Sequence, residues 1–214
     1  MNYKAINIES WERRDLFKLY TTDLKIVMNM TVDFDVTPIV RYVKARGMRF
    51  YPTMIWVVSK IMNSHDEFRY SLRENGELWC WDSVSPSYTD FNPETGKFVK
   101  FVTEYSDDLE LFHARAVENS IKYKNASGFI ENQPENIFDI SCLPWVKYKS
   151  FDLQVSSDSN GRMFPVVIWG KYEEQEGKFI MPVTMNFNHA AGDGYHFCRF
   201  FEELKAEIEK FKDR

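Results

Sequence analysis

Ile180-Met-Pro-Val-Thr-Met-Asn-Phe-Asn-His189-Ala-Ala-Gly-Asp193-Gly194 is the stretch that decides the fold. Residues 180–187 are mostly apolar and short, the pattern of a buried strand. From Gly194 to about Phe211, the residues Phe197, Phe200, Phe201, Leu204, Ile208 and Phe211 fall on one stripe, the pattern of an amphipathic helix. Asp193 stands at the N-cap position between them. The turn joining strand to helix therefore holds a histidine beside an Asp-Gly pair, with the imidazole placed to face a cleft.

Working outward, the same reasoning predicts a mixed α/β chain. Ser10 opens a helix to about Tyr20, and Ile26, Met28, Met30, Val32 and Phe34 share one face of a strand over residues 24–36. Thr37-Pro38 reads as an N-cap followed by N1 proline, starting a helix that stops near Gly47. Residues 53–64 read as a helix that is apolar nearly all round. Turn chemistry at Glu74-Asn-Gly76, Ser85-Pro86 and Asn92-Pro-Glu-Thr-Gly96 separates short strands of an antiparallel hairpin region. A helix over 107–123, a loop over 125–136, and strands over 138–141, 151–155, 165–172 and 179–187 complete the pattern. The expectation is one domain over residues 1–214.

Composition narrows the function classes. The 27 basic and 32 acidic residues give a net charge of −5, whereas nucleic-acid binding needs a basic face. No apolar run reaches the length of a membrane span, and residues 1–14 lack the apolar core of a signal peptide. Cys80, Cys142 and Cys198 are widely spaced and form no CxxC, so neither a disulfide framework nor a zinc site is expected. The expectation is a cytoplasmic protein without metal, nucleic-acid or membrane partners.

Four histidines are candidates for acid–base chemistry. His65, in Asn63-Ser-His-Asp-Glu67, reads as a solvated loop residue, His113 as structural within a helix, and His196 as a capping or packing residue. His189 is either a general base or a satisfied structural histidine; the adjacent carboxylate and flexible backbone favour the first. Asp193 reads either as its partner or as a helix cap and salt-bridge residue, and the structural role is preferred. Ser141, in Asp139-Ile-Ser-Cys-Leu-Pro-Trp145, reads either as a hydroxyl presented to a cleft or as a turn serine. GxSxG, GxGxxG, P-loop and HExxH patterns do not occur.

Taken together, a set of collinear segments resembles the chloramphenicol acetyltransferase family nearly end to end. They are Ser10-Trp-Glu-Arg-Arg-Asp-Leu-Phe17, Phe50-Tyr-Pro52, Trp81-Asp-Ser-Val84, Tyr88-Thr89 with Phe91, and Glu94-Thr95 with Phe98. Leu143-Pro-Trp-Val146, Ser150-Phe-Asp-Leu153, Gly170-Lys-Tyr172 and His189 to Phe197 continue the series. HxxxDG alone is less specific, since it also marks acyltransferase cores of 2-oxo acid dehydrogenase complexes and peptide-synthetase condensation domains.

The resemblance implies a two-layer fold, a mixed sheet with helices on one face, assembled as a homotrimer with active sites at subunit interfaces. It implies acetyl transfer from acetyl-CoA to a small hydroxylated acceptor, with His189 as general base and Ser141 as donor to the tetrahedral oxyanion. Arg13 would pair with Asp193, Arg14 being the neighbouring alternative. Tyr20, Leu24, Thr89, Phe98, Phe129, Phe151 and Leu153 would line the acceptor pocket, and Lys171 and Tyr172 the coenzyme channel.

The chain also departs from the family pattern. Ile26 and Met28 replace a Cys-x-aromatic pair, and Ile168 replaces a threonine that holds a bridging water; both changes fall in the acceptor pocket. Asn188-His189 replaces His-His, and Cys142 an alanine or asparagine. An isoleucine cannot anchor a water. Acetyl transfer is therefore better supported than chloramphenicol itself; chloramphenicol remains the first expected acceptor, and Ile26, Met28 and Ile168 favour its rival, another small hydroxylated compound. A trimeric protein that sequesters hydrophobic ligands without turnover is the reading from a different class.

Overall fold

A computed structural model describes residues 2–153 and 163–214. Its strands are β1 (Tyr3–Ile6), β2 (Val27–Asp35), β3 (Tyr70–Leu72), β4 (Leu78–Trp81), β5 (Ser85–Asn92) and β6 (Lys97–Val102). They continue as β7 (Gly128–Phe129), β8 (Ile137–Leu143), β9 (Val166–Gly170), β10 (Glu173–Gln175) and β11 (Lys178–Asn188). The α-helices are α1 (Arg14–Lys18), α2 (Thr37–Arg46), α3 (Phe50–Ser64), α4 (Leu109–Lys122) and α5 (Gly194–Glu209).

Among the described residues, β1, β4 and β3 make a small sheet, and the remaining strands make an eight-stranded sheet. In the large sheet β8 runs parallel to β5 and β9, and β7 parallel to β6, while the other pairings are antiparallel. The mixed two-layer architecture expected from the resemblance is the one observed.

β11 is the spine. One edge pairs with β2 from Ile180 to Asn188, and the other meets β10 near Ile180 and β9 from Val183 to Asn186. Alternation sorts its side chains between two faces. Met181, Val183, Met185 and Phe187 are fully buried toward the helices. On that side Phe68 lies between Phe187 and Phe200, with ring centroids 5.4 Å and 6.3 Å away.

Among the described residues the opposite face carries no helix. The pairing register runs across it in rows: Ser141, Ile168, Thr184 and Thr31 in one, and Thr89, Lys100 and Phe129 in another. The chain after β8 straps over part of this face. Tyr148 Oη donates to the Ile168 carbonyl at 3.0 Å, and Asn186 Nδ2 donates to the Leu153 carbonyl at 2.7 Å.

Several boundaries differ from the expected ones. The helix expected over 10–20 is reduced to α1, followed by a widened turn over Leu19–Asp23. The hydroxyls of Thr21 and Thr22 there bond back to the Phe17 and Lys18 carbonyls, both at 2.7 Å, a local competition that loosens regular helix. Val36 rather than Thr37 occupies the N-cap of α2, and Asp35 Oδ1 accepts the Thr37 N–H at 3.0 Å. The loop over 125–136 contains β7.

The strand expected over 151–155 is absent at 151–153, and 154–155 lie outside the described residues. Phe151 N–H and Leu153 C=O bond to the side chains of Thr31 and Asn186 instead of to a neighbouring ladder.

Replacing Phe68 by alanine removes the ring wedged between sheet and α5. The expected loss is about 3–5 kcal/mol, read from the shift of the urea unfolding midpoint.

Candidate active site

The turn after β11 is fixed by Arg13, whose side chain is 11% exposed. Its Nε donates to the Ala190 carbonyl at 3.1 Å, Nη2 to the His189 carbonyl at 2.8 Å, and Nη1 to Asp193 Oδ2 at 3.1 Å. A guanidinium suits this task because its donors leave a rigid planar fork in several directions. Arg14 turns away to Asp15. Gly192 completes the turn: a Cβ there would stand 2.8 Å from the Phe187 ring.

His189 is oriented from three sides. Its N–H donates to the Ile26 carbonyl at 3.0 Å, and the Tyr20 ring stacks on the imidazole at 4.0 Å and 13°. Nδ1 lies 3.1 Å from the Gly192 carbonyl. A carbonyl oxygen only accepts, so Nδ1 carries the proton and Nε2 keeps its lone pair.

Asp193 engages Arg13 and His196, the latter at 2.8 Å, while His189 Nδ1 engages a backbone carbonyl. Burial works to raise the Asp193 carboxyl, but hydrogen bonds from His196 and Arg13 outweigh it and hold the group below its usual range.

The other histidines sit elsewhere. His113 Nε2 accepts the Arg49 N–H at 2.9 Å, and burial lowers its pKa. His65 departs from its expected solvated state: Nε2 lies 2.8 Å from both Glu203 oxygens, joining the end of α3 to α5.

The remaining expected site residues divide into two groups. Tyr20, Leu24, Ile26 and Met28 lie with His189 at the β2 edge; Leu24 and Ile26 are exposed, and Met28 pairs with Phe187 in the register. Ser141, Thr89, Phe98, Phe129 and Ile168 lie on the helix-free face, where the strap brings Phe151 and Leu153. Phe98 is 47% and Phe129 79% exposed, large values for aromatic side chains.

Within one chain these groups do not meet. Ser141 is level with Thr184 two strands away, and His189 is five residues further on, just past the end of β11. Strand rise and spacing place their backbones roughly 20 Å apart.

A cavity of about 600 Å³ opens beside the second group, lined by Phe50, Tyr51, Cys142, Trp145, Lys171 and Tyr172 among others. Tyr51 Oη donates to the Thr89 carbonyl at 3.0 Å. Burial pushes the Cys142 thiol up to about 12, so it is a protonated wall residue at neutral pH. Phe50, Tyr51 and Trp145 were not singled out as site residues by sequence reasoning, although Phe50-Tyr and Pro-Trp145 belong to the segments that carry the resemblance. Lys100 and Asp139, paired at 2.6 Å on the helix-free face, gave no sequence signal, being 39 positions apart.

Among the described residues no group of three or more His, Cys, Asp or Glu is placed to hold a metal ion, and no helix is long and apolar enough to cross a membrane.

Comparison with known proteins gives the family. The sequence model of the family described as chloramphenicol acetyltransferase matches residues 1–205. A chloramphenicol acetyltransferase of Clostridium perfringens is 33% identical over 207 residues, covering 96% of this chain and 94% of the relative. One of Escherichia coli is 35% identical over 211 residues, covering 98% and 95%. A solved chloramphenicol acetyltransferase structure superposes with a TM-score of 0.86 at 22% identity, over 97% of this chain and all of that one. Dihydrolipoamide acetyltransferase of Azotobacter vinelandii shares the fold at a TM-score of 0.68 and 17% identity, over 87% and 83%. The chain belongs to the chloramphenicol acetyltransferase family, and is an acetyl-CoA-dependent O-acetyltransferase.

Proposed function

We propose that this chain forms a cytoplasmic homotrimer of one-domain subunits and acetylates a hydroxyl of chloramphenicol, with the resistance to the drug that follows. The observation that carries the mechanism is the bond from His189 Nδ1–H to the Gly192 carbonyl, which leaves Nε2 as a base. The separation of His189 from Ser141 within one chain supports an active site shared between neighbouring copies.

His189 Nε2 removes the acceptor hydroxyl proton as the oxygen attacks the thioester carbon. Ser141 Oγ of the adjacent copy donates a hydrogen bond to the resulting oxyanion. The C–S bond then breaks, and the imidazolium returns its proton to the departing thiolate. Acetyl-CoA supplies the acyl group as co-substrate. The aromatic cavity with Lys171 and Tyr172 suits its apolar arm and anionic end, because the walls are largely apolar and Lys171 adds a cation.

A second reading keeps this chemistry and changes the acceptor to another small hydroxylated compound. Ile168 favours it: the side chain is buried, level with Ser141, and offers no polar atom where the family has a hydroxyl. A non-catalytic binder is disfavoured by the orientation of His189, which sequestration does not require.

With acetyl-CoA and chloramphenicol, release of CoA thiol is expected, falling about 10²–10⁴-fold in His189→Ala and about 10²–10³-fold in Ser141→Ala. No release above the His189→Ala background would remove chloramphenicol as acceptor; release only with other hydroxylated compounds would favour the second reading. Co-assembly of the two inactive variants restores activity, because some interfaces then join an intact His189 to an intact Ser141. Failure of mixed trimers to regain turnover would place both groups in one subunit.

Arg13→Met is expected to lower kcat about 10²-fold through drift of the His189 turn. The sign of the Asp193 effect follows from its lowered pKa. Its contribution to stability is complete above about pH 4 and is lost as the pH falls through the depressed value. The stability deficit of Asp193→Asn should therefore shrink between about pH 7 and about pH 3, as measured by denaturant unfolding at each pH.

A further inference from the structure

Lys100 and Asp139 form an ion pair on the helix-free face, with side chains 23% and 12% exposed and Nζ 2.6 Å from Oδ1. Lys100 is level with Thr89 on β5 and Phe129 on β7, and its ammonium lies 5.9 Å from the Phe129 ring centroid. Phe98 is two residues before Lys100 on the same strand face, and Asp139 two residues before Ser141 on β8. Two residues along a strand are roughly 7 Å. Lys100 thus lies in one row with Ser141, Thr89 and Phe129, with Phe98 one step to one side along the strands and Asp139 one step to the other.

We propose that Lys100 selects acceptors whose aromatic ring carries an oxygen-bearing, hydrogen-bond-accepting substituent. This rests on the acceptor pocket assigned above and names the substrate class that fits it.

An ammonium has three N–H donors, and Asp139 Oδ1 engages one. When an acceptor and a neighbouring subunit cover the face, water is withdrawn from the ammonium. A donor left unmatched there costs binding, whereas a hydrogen bond to a charged group is among the stronger ones. A ring held by Phe98 and Phe129 brings its substituent to the ammonium. An oxygen there accepts a bond, and a bare C–H edge does not. Asp139 neutralises the site, so a neutral oxygenated group is matched better than a carboxylate, which Asp139 would repel.

The test is calorimetric binding to the intact protein of chloramphenicol and of its analogue with hydrogen in place of the nitro group. Wild-type protein should bind the nitro compound about tenfold tighter than the analogue. In the charge-neutral Lys100→Met/Asp139→Asn variant the nitro compound should lose that tenfold advantage, while the analogue binds at least as well as to wild type. Lys100→Arg, which keeps charge and donors, should retain the preference.

Equal binding of both compounds by the wild type would overturn the proposal, and so would equal weakening of both in the double variant. The wild-type comparison decides even where the double variant does not fold. If chloramphenicol does not bind the wild type at all, the acceptor reading fails and this inference with it; binding without discrimination overturns this inference alone.

Discussion

The structure depends on a constraint met by one strand. β11 is hydrogen-bonded along both edges and buried on its helix-facing side, so neither its register nor its tilt can slip without exposing Met181, Val183, Met185 and Phe187. The His189 turn begins where that strand ends, and Arg13 closes it with three hydrogen bonds from a segment 177 residues or more away in the sequence from Ala190 and Asp193. The proposed base is therefore anchored to a strand paired along both edges. Its imidazole needs no partner carboxylate to select a tautomer, because a backbone carbonyl does so.

One-sided coverage of the sheet has a chemical consequence. Helices bury one face, and the other is left with hydroxyls, an ion pair and exposed phenylalanines. The exposed phenylalanines are poorly suited to water, and the described residues of the strap after β8 cover only part of the face. His189 and Ser141 lie at separate places in one chain; in the proposed mechanism a neighbouring copy that covers the face also completes the chemistry, so that assembly and catalysis share one surface.

The parts legible in the sequence are those with local causes. The strand–turn–helix around His189 follows from alternation, a cap residue and a helical stripe, all within about thirty residues. The helix expected after Ser10 is shortened to α1, and at its C-terminal end the consecutive hydroxyls of Thr21 and Thr22 bond to the Phe17 and Lys18 carbonyls where the turn widens. The segment 151–153 has strand-like residues, yet its backbone groups find side-chain partners on β2 and β11. His65 reads as a loop residue until the fold brings Glu203 to it. The Lys100–Asp139 pair is invisible in sequence for the same reason: its meaning lies in a register that spans three strands. The family resemblance supplied residue roles that no spacing within the chain would have given.

The apolar side chain of Ile168 lies beside a continuous chain of hydroxyls. Phe151 N–H donates to Thr31 Oγ1 at 3.4 Å, Thr31 and Thr184 hydroxyls meet at 2.7 Å, Thr184 donates to Tyr148 Oη at 3.1 Å, and Tyr148 donates to the Ile168 carbonyl. The last two bonds fix the direction of the rest, so Thr31 must donate to Thr184. Each hydroxyl both accepts and donates, which is the arrangement in which neighbouring hydrogen bonds reinforce one another. Gly170 permits it, since a Cβ there would lie 3.0 Å from the Tyr148 ring. The chain of hydroxyls lies beneath the strap, where it holds Phe151 in place and is satisfied within the protein. In the proposed pocket Ile168 presents an apolar surface, and the remaining polarity lies at Ser141, Thr89 and Lys100. In the proposed mechanism acceptor choice then follows from where polar atoms remain available, and proton removal at His189 does not depend on it.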